Sequence, residues 1–243
     1  MNFSVLQWNI WFKEKIEEIA EYLVHNKADI ICLQELSIDN PEQSVNNAVT
    51  YIAEKLGYEY AFQKITFEDD SMKLANAIFS RYPIKKSRSV WINEPTGTGH
   101  YDDEYRAYVE TAIQINGKLL TVGTVHMSYT NAFMPTPRKL KETQKLLNHT
   151  KRHHSKYILT GDFNAMPDSV VLQNISKQFV NAGPNDTQKS WTTKPFSYDG
   201  FKANTLDWRL DYIFTTPDVK TMSSEIVQTN LSDHLPILAS FEI

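Results

Sequence analysis

The stretch Tyr157-Ile158-Leu159-Thr160-Gly161-Asp162-Phe163-Asn164 joins an apolar, strand-like run to a polar turn. In an extended backbone, residues i and i+2 point to the same side, so the Asp162 carboxylate and the Asn164 amide would converge on one spot. Phe163 would then anchor the turn in the core, and Gly161 would give the backbone room. Asp162 could orient or deprotonate a water while Asn164 donates a hydrogen bond. A turn rich in Asp and Asn, without any chemistry, explains the same residues equally well.

Four other polar motifs follow apolar runs in the same way. They are Gln7-Trp8-Asn9, Leu33-Gln34-Glu35, Thr124-Val125-His126 and Ser232-Asp233-His234. Together they supply amides, carboxylates and imidazoles, each just past a segment that the pattern predicts to be buried. A protein needs this inventory to hold a divalent metal ion and cleave a phosphate ester. Because the motifs lie near both ends of the chain, the termini must meet in one site, which favours a single domain over 1–243.

The carboxylates and histidines of these motifs could each have a chemical role, and some also have a structural explanation. Glu35 follows a buried run, where a carboxylate is costly unless it binds metal or pairs with a lysine. Asp233 could bind metal, and His234 could donate to a phosphoryl oxygen. His126 could protonate a leaving oxygen near neutral pH, although a lone histidine at a strand end is commonly structural. Asp211 lies on a further strand-like run and could orient a catalytic histidine.

Composition and charge narrow the class of protein. The chain has 243 residues, of which 41% are hydrophobic and 22% charged, as is ordinary for a globular protein. No apolar run reaches the length of a membrane span, and a strand-like segment starts at Asn2 in place of a signal peptide. Cys32 is the only cysteine, so we expect no internal disulfide and a cytoplasmic protein. The net charge of −4 argues against bulk nucleic-acid binding, and the basic stretch 138–156 is either a polyanion contact or a solvated helix face.

The spacing of apolar residues predicts strands with helices between them. Helices are predicted over 16–24, over 45–56 with a start at Asn40-Pro41 and a stop at Gly57, over 138–152 and over 169–178. Strands are predicted over Asn2–Trp8, Asp29–Leu33, Tyr60–Thr66, Leu74–Ser80, Ser87–Ile92, Ala107–Ile115, Lys118–Val125, Tyr157–Thr160, Asp211–Thr215 and Ile237–Phe241. Asn116-Gly117 between two of these runs predicts a two-residue hairpin turn. The pattern indicates a mixed α/β layered domain.

In this order, the motifs closely resemble those of the endonuclease/exonuclease/phosphatase superfamily. The resemblance runs from Asn2 to the C-terminus and includes Ala77-Ile78-Phe79-Ser80-Arg81-Tyr82-Pro83. It implies a four-layer α/β sandwich, in which two packed mixed β-sheets are flanked by helices and the site lies at one end. It also implies a phosphoric ester hydrolase that uses Mg²⁺ or Mn²⁺ and in-line attack of water on phosphorus.

The resemblance carries roles over to individual residues. The implied metal-site residues are Glu35 as principal ligand, Asn9 and Asp233. The implied catalytic residues are Asp162 as activator of the water, Asn164 as its orienting group, His234 as stabiliser of the phosphoryl charge, His126 as general acid or phosphate donor, and Asp211 as orienting partner of a histidine. A carboxylate partner for His126 would come from Glu68, Asp69 or Asp70, without a clear choice among them.

The resemblance leaves the substrate open. We favour a phosphodiesterase acting on nucleic acid; a small-molecule, inositol-phosphate or sphingomyelin-like substrate is the alternative, and a catalytically inactive binding module is a third hypothesis. Trp11 and Trp191 could stack bases near the site. Arg106 could bind a phosphate beside the scissile one; Arg138 and Lys139 could do the same or lie on the solvated surface. We expect a monomer that does not insert stably into membranes.

Overall fold

The apolar runs of the sequence form strands, with a few helices between them. The computed structural model describes residues 2–66, 73–97, 103–153, 155–198 and 200–243. The strands of these residues are β1 (Asn2–Asn9), β2 (Ile30–Ile38), β3 (Glu59–Thr66), β4 (Lys73–Ser80), β5 (Ile84–Asn93), β6 (Arg106–Ile115), β7 (Lys118–His126), β8 (Tyr157–Asp162), β9 (Val180–Asn181), β10 (Phe196–Tyr198), β11 (Phe201–Ala203), β12 (Asp211–Thr215), β13 (Lys220–Ile226) and β14 (Ile237–Glu242). Every predicted strand is present, and most extend beyond the apolar run that predicted them.

The helices are short, and all but the first begin at a capping side chain. They are α1 (Ile16–Asn26), α2 (Ala48–Leu56), α3 (Pro137–Thr150) and α4 (Val170–Ile175). The predicted start of the second helix at Asn40-Pro41 is wrong, because the Asn47 side chain accepts hydrogen bonds from the first turn of α2 and caps it there. Its predicted end at Gly57 is confirmed, where the backbone takes a left-handed φ of 66°. Within the described residues, no helix combines the length and the apolar character needed to cross a bilayer.

The described strands form two six-stranded sheets and a separate two-stranded hairpin, β10-β11. The strand order is β13-β14-β1-β2-β4-β3 in the first sheet and β5-β6-β7-β8-β12-β9 in the second. Each sheet contains a central parallel pair, β1 with β2 and β7 with β8, flanked by antiparallel neighbours. The predicted turn at Asn116-Gly117 is confirmed, since Ile115 pairs with Lys118 and both turn residues have positive φ.

Three large apolar clusters fill the spaces between the layers of the fold. The first cluster joins the first sheet to α1 and α2, and includes Trp8 and Leu23. The second lies between the two sheets, where Ile78 meets Val122 and their neighbours. The third joins the second sheet to α3 and α4, and includes Leu146. The predicted four-layer α/β sandwich, with two packed mixed sheets flanked by helices, is therefore confirmed.

The parallel pairs bring four strand ends to one edge of the sandwich. Asn9 at the end of β1 lies opposite Gln34 of β2, and His126 at the end of β7 lies opposite Asp162 of β8. Beside this second pair, a Cβ on Gly161 would lie 2.2 Å from the carbonyl oxygen of Val125. Only glycine permits that approach of the two backbones. The polar motifs at the strand ends therefore face a common space.

A buried chain of hydrogen bonds joins the two sheets beneath this edge. Gln7 and Gln34 bond to each other within the first sheet, and Gln34 Nε2 donates to Thr124 Oγ1 of the second sheet at 2.8 Å. Thr160 Oγ1 donates to the same Thr124 oxygen at 3.1 Å. All four side chains are fully buried. An unpaired buried polar group would lower the stability of the fold. This series of hydrogen bonds therefore fixes the position of one sheet over the other.

The strands β9, β10, β11 and β13 were not predicted. The first three are two or three residues long, which is too short for an alternating pattern to be visible. Strand β13 is mostly exposed and rich in hydroxyl side chains, so no apolar face marks it.

Glu110 of β6 ties the second sheet to the segment that follows α3. It accepts hydrogen bonds from Arg88 at 3.0 Å and Arg152 at 2.6 Å, and its other oxygen lies 2.6 Å from His153 Nε2. Burial alone would raise the pKa of Glu110. The hydrogen bonds from His153, Tyr108 and Arg88 outweigh burial and lower that pKa to about 2.

We expect Glu110→Gln to reduce stability at pH 7 by about 1.5–3 kcal/mol, the usual worth of a hydrogen bond to a charged group. A carboxyl whose pKa falls on folding stabilises the fold above its unfolded value of 4.5, and this contribution is lost as the pH falls towards 2. The stability difference between native and variant proteins should therefore shrink between these pH values. Urea unfolding across this range measures it, with Glu54→Gln on the exposed face of α2 as the control. A difference that stays constant from pH 7 to pH 2 would contradict this explanation.

Candidate active site

Asn9 links the carboxylates of the two sheets at the edge where the strands end. Its Nδ2 donates to Glu35 Oε1 at 2.8 Å and to Asp162 Oδ2 at 3.1 Å. Its Oδ1 accepts from the backbone N–H of Trp11 at 3.1 Å, which fixes the orientation of the amide. The structure thus brings together Asn9, Glu35 and Asp162 from three of the predicted motifs, and Asn9 holds the two carboxylates in place.

A bulge in β2 turns Glu35 towards this site. The pairing of β2 with β4 shifts between Leu33 and Leu36, and Glu35 has a positive φ of 60°. A bulge of this kind re-aims a side chain at the cost of local strain. The strand predicted to end at Leu33 therefore continues to Ile38, with the carboxylate at its irregular point.

Asp211 and His234 form a buried pair on the other side of Asp162. His234 Nδ1 lies 2.8 Å from Asp211 Oδ2, and His234 Nε2 lies 3.7 Å from Asp162 Oδ2. Burial alone would lower the pKa of His234, but the charges of Asp211, Asp233 and Asp162 raise it to about 10. The imidazole is therefore a cation at neutral pH, with Nε2 directed at the Asp162 carboxylate.

Asp233 is held by Trp191. The indole Nε1 donates to Asp233 Oδ2 at 2.9 Å, and the Trp191 ring is only 3% exposed. The neighbouring Ser232 Oγ donates to the Asn9 carbonyl at 2.8 Å and accepts from the His234 N–H. In the structure, the hydrogen bond from Trp191 orients Asp233. The expected role of Trp191 in stacking substrate stays a prediction.

Asn164 reaches the site through a tight turn. Its φ is 45°, in the left-handed region that asparagine tolerates, and its N–H donates to Asp162 Oδ1 at 2.8 Å. The extended geometry expected for this segment is wrong, because the side chain turns towards β7, where Nδ2 donates to the Met127 carbonyl at 3.0 Å. Asp162 and Asn164 still lie together, since the turn closes on the carboxylate.

His126 completes the group from the end of β7. Its Nε2 lies 3.3 Å from Asn164 Nδ2, 3.5 Å from Asp162 Oδ2 and 3.8 Å from Glu35 Oε1. Burial first, and then the charges of Arg106 and other nearby cations, hold the pKa of His126 well below its usual range. This imidazole is therefore neutral at neutral pH, in contrast to His234.

The carboxylates of the site fit a divalent cation. Burial, and then the charge of Asp233, raises the pKa of Glu35 to about 7, and burial also raises the pKa of Asp162. A cation would relieve this repulsion, and carboxylate oxygens are the ligands that Mg²⁺ prefers. Among the described residues, Asp162, Asp211 and His234 also offer ligand atoms within 4.8 Å of one another. The hydrogen bond between Asp211 and His234 already uses two of these atoms. A cation held by Glu35 and Asp233 stays a prediction.

The site opens into a cleft of aromatic and charged side chains. The three residues predicted to bind substrate, Trp11, Arg106 and Trp191, all line it. The cleft is also lined by residues that the sequence did not predict, which are Phe12, Glu104, Tyr129, Phe133, Phe196 and Tyr198. They lie in loops and short strands without apolar periodicity, so no local pattern marks them. The proposed partners of His126, Glu68, Asp69 and Asp70, lie outside the described residues.

A model of the endonuclease/exonuclease/phosphatase family matches residues 6–234. This range includes all the residues that converge on Asp162. The chain belongs to the endonuclease/exonuclease/phosphatase family. Enzymes of this family are phosphoric ester hydrolases, among them nucleases and phosphatases, and they generally depend on divalent metal ions.

Solved structures of family members share the fold at low sequence identity. A family protein from Leptotrichia buccalis is 20% identical with a TM-score of 0.73, over 99% of this chain and 100% of that one. The human Nocturnin catalytic domain with bound sulfate is 17% identical with a TM-score of 0.69, over 99% and 93%. A Bacteroides thetaiotaomicron mannosyl-6-phosphatase is 14% identical with a TM-score of 0.69, over 99% and 100%. No curated protein matches the chain significantly. Since such identities show the fold alone, the substrate must be argued from the site.

Two buried charges of α3 clamp the backbone just after His126. Glu142 Oε1 accepts from the Ser128 N–H at 3.0 Å, and Lys139 Nζ donates to the Ser128 carbonyl. Lys139 is 2% exposed, so its expected place on a phosphate-binding or solvated surface is wrong. Spacing of three residues brings both side chains to one face of the helix. This Ser128 clamp supports the segment whose Met127 carbonyl accepts from Asn164.

We expect Asp211→Asn to lower the pKa of His234 from about 10 towards its ordinary value. A raised pKa keeps the imidazole charged, and the stability it adds is full below the ordinary value of 6.5 and is lost as the pH rises from there to about 10. Replacing the carboxylate should therefore move the alkaline limb of the activity profile to lower pH and reduce turnover by about 10²–10⁴-fold. Titration of the histidine ring signals by NMR and pH–rate profiles test this, with Asp168→Asn on the surface as the control. An unshifted His234 signal would show that another group sets its charge.

We expect Lys139→Met to destabilise the protein by about 3–5 kcal/mol, because it removes the main positive charge that compensates the buried Glu142. The double variant Lys139→Met/Glu142→Gln removes that charge and should recover part of the stability. Turnover should stay low in both, since the Ser128 carbonyl has lost its donor and His126 is less firmly placed. Urea unfolding and hydrolysis by the folded fraction separate the two effects. If activity returned together with stability in the double variant, the clamp would have no positioning role.

Proposed function

We propose that this protein is a Mg²⁺- or Mn²⁺-dependent phosphodiesterase that acts on nucleic acid by in-line attack of water. The observation that carries the proposal is the set of contacts to Asp162 Oδ2. Within 3.7 Å of this oxygen lie Asn9 Nδ2, a neutral imidazole nitrogen of His126 and a charged imidazole nitrogen of His234. A base, a hydrogen-bond donor and a cation around one small space suit attack on a phosphoryl group.

Asp162 is the general base of this proposal. Burial raises its pKa, and a base whose pKa lies nearer the operating pH accepts a proton more effectively. Its carboxylate takes the proton of the attacking water as the water oxygen bonds to phosphorus. The ester P–O bond opposite the water then breaks, and the departing oxygen is protonated from solvent. Asn164, fixed by its bond to the Met127 carbonyl, orients the water.

The two histidines have different tasks in this scheme. His234 stays protonated beside Asp211 and stabilises the negative charge that develops on the phosphoryl oxygens. His126 was expected to be either a general acid or a phosphate donor. Its lowered pKa favours the second task, since a neutral imidazole holds an N–H to donate but is not a protonated acid.

Glu35, Asp233 and Asn9 would hold the metal ion in this scheme. Glu35 is the principal ligand, Asp233 is aimed by Trp191, and Asn9 fixes the position of the Glu35 carboxylate. When bound, the divalent cation neutralises charge that develops on the phosphoryl oxygens. The raised pKa of Glu35 means that cation binding and proton release are linked in this site.

Nucleic acid is the substrate class that we put first. Trp11 and other aromatic side chains in the cleft offer faces to bases, and Arg106 offers a guanidinium to a neighbouring phosphate. The alternative is a phosphatase or phosphodiesterase for a small-molecule, inositol-phosphate or sphingomyelin-like substrate. One observation that favours this alternative is that basic side chains near the cleft are paired with acids, Arg106 with Glu104 and Lys194 with Glu14.

We expect Mg²⁺-dependent cleavage of oligonucleotides that EDTA abolishes and that Asp162→Asn reduces by about 10²–10⁴-fold. The amide keeps the size of the Asp162 side chain and one accepting oxygen, but it cannot accept the proton of water. Gel assays with Mg²⁺, Mn²⁺ and EDTA measure the cleavage, with Asp168→Asn as the control.

A parallel assay measures phosphate released from soluble sugar and inositol phosphates. Release of phosphate without cleavage of any phosphodiester would move the assignment to the small-molecule alternative.

A further inference from the structure

A row of aromatic rings leads away from the catalytic centre. The Trp191 ring lies 6.1 Å from the His234 ring and 4.9 Å from the Phe196 ring, and Phe196 lies 6.5 Å from Tyr198. Tyr129 joins the row at 5.9 Å from Phe196 and 5.6 Å from Tyr198. We call Trp191, Phe196, Tyr198 and Tyr129 the aromatic wall.

The aromatic wall is buried at its inner end and exposed at its outer end. Trp191 is 3% exposed, whereas Tyr198 is 47% exposed on the β10-β11 hairpin. Phe133 packs edge-on against Trp191 and Phe201, which braces the hairpin from behind. A large exposed aromatic ring that is held by such packing offers a ready surface for another flat ring.

The chemistry of the cleft suits an aromatic ligand better than a lipid chain. Among the described residues that line the cleft, the apolar ones are all aromatic and the others are charged or polar; no aliphatic side chain is among them. An acyl chain gains most from aliphatic surroundings, whereas a base stacks on aromatic faces and presents polar edges to groups such as Glu104 and Arg106.

In the part of the chain that the structure describes, three basic side chains near the cleft are paired with acids, which disfavours a track for a long polyanion. Arg106 is paired with Glu104, and Lys194 with Glu14. Arg138 is paired with Asp103 at 2.6 Å. The ranges 67–72 and 98–102, which border the described residues, contain no lysine or arginine. Binding along a duplex relies on several basic side chains that contact successive phosphates.

We propose that the aromatic wall binds one unpaired base next to the scissile phosphate, so that the enzyme acts on single-stranded or terminal nucleotides and not on intact duplex. This proposal rests on the nuclease function proposed above. In a duplex each base is paired and stacked inside the helix, and it would have to be extruded before it could reach the wall. A single strand or a frayed end presents bases that are free to stack on Tyr198.

The test compares matched substrates in the presence of Mg²⁺. They are a short single-stranded oligonucleotide, the same sequence as a blunt duplex, and the same strand with abasic residues throughout. The native protein should cleave the single strand faster than the duplex and the abasic strand. Tyr198→Ala should raise KM for the base-bearing strand by about 5- to 100-fold, the usual effect of removing one stacking platform, with kcat little changed.

Two further variants make the result specific to the ring. Tyr198→Phe keeps the stacking face and should retain native KM, while Tyr60→Ala, on the exposed face of β3, removes a similarly exposed ring elsewhere and should have no effect. Cleavage of the abasic strand should be the same with Tyr198→Ala as with the native protein.

The outcomes separate this proposal from the one it rests on. Equal cleavage of duplex, single strand and abasic strand would overturn the binding of a base while leaving the nuclease assignment intact. If Tyr198→Ala lost hydrolysis of sugar phosphates but kept native cleavage of nucleotides, the binding of a base would be overturned. The aromatic wall would then bind a sugar. If none of the three substrates were cleaved in a metal-dependent way, the nuclease function itself would fail, and this proposal with it.

Discussion

Hydrogen bonds buried between the two sheets are the constraint on which the site depends. Gln34 reaches across to Thr124, and Asn9 reaches across to Asp162, so each link joins a strand of one sheet to a strand of the other. A slip of one residue along any strand would turn its side chain to the opposite face and break the link. Because these groups are buried, a broken link costs more than an intact one gains. The catalytic geometry and the packing of the sandwich are therefore set by the same bonds.

The electrostatics of the site follow from the burial of several carboxylates close together. Carboxylates from both sheets are held in a space from which water is largely excluded, and this disfavours their charged forms. One part of the excess negative charge is balanced by His234, whose pKa is raised in response. The remainder makes the pocket receptive to a divalent cation. In the function proposed above, the stability lost by burying these charges is the source of both the basicity of Asp162 and the affinity for metal.

Much of the fold and the centre of the site could be predicted, because strand ends carry short-range signals. The turn at Asn116-Gly117 and the polar residues after apolar runs are local patterns that survive folding. The bulge at Glu35 and the left-handed turn at Asn164 are not visible locally, since pairing and packing decide them. The burial of Lys139 also depends on a distant partner, the backbone of Ser128. The rings of the cleft come from segments with no periodicity, so only the assembled fold brings them together.

The β10-β11 hairpin forms its own sheet and pairs with neither of the large ones. Insertions, deletions or replacements there leave the register of the catalytic strands untouched, because no ladder bond of the sandwich runs through it. The fold can therefore change its ligand preference by altering this appendage while the hydrolytic centre is inherited unchanged. The hairpin can change without destabilising the core. One scaffold can therefore serve different phosphate esters.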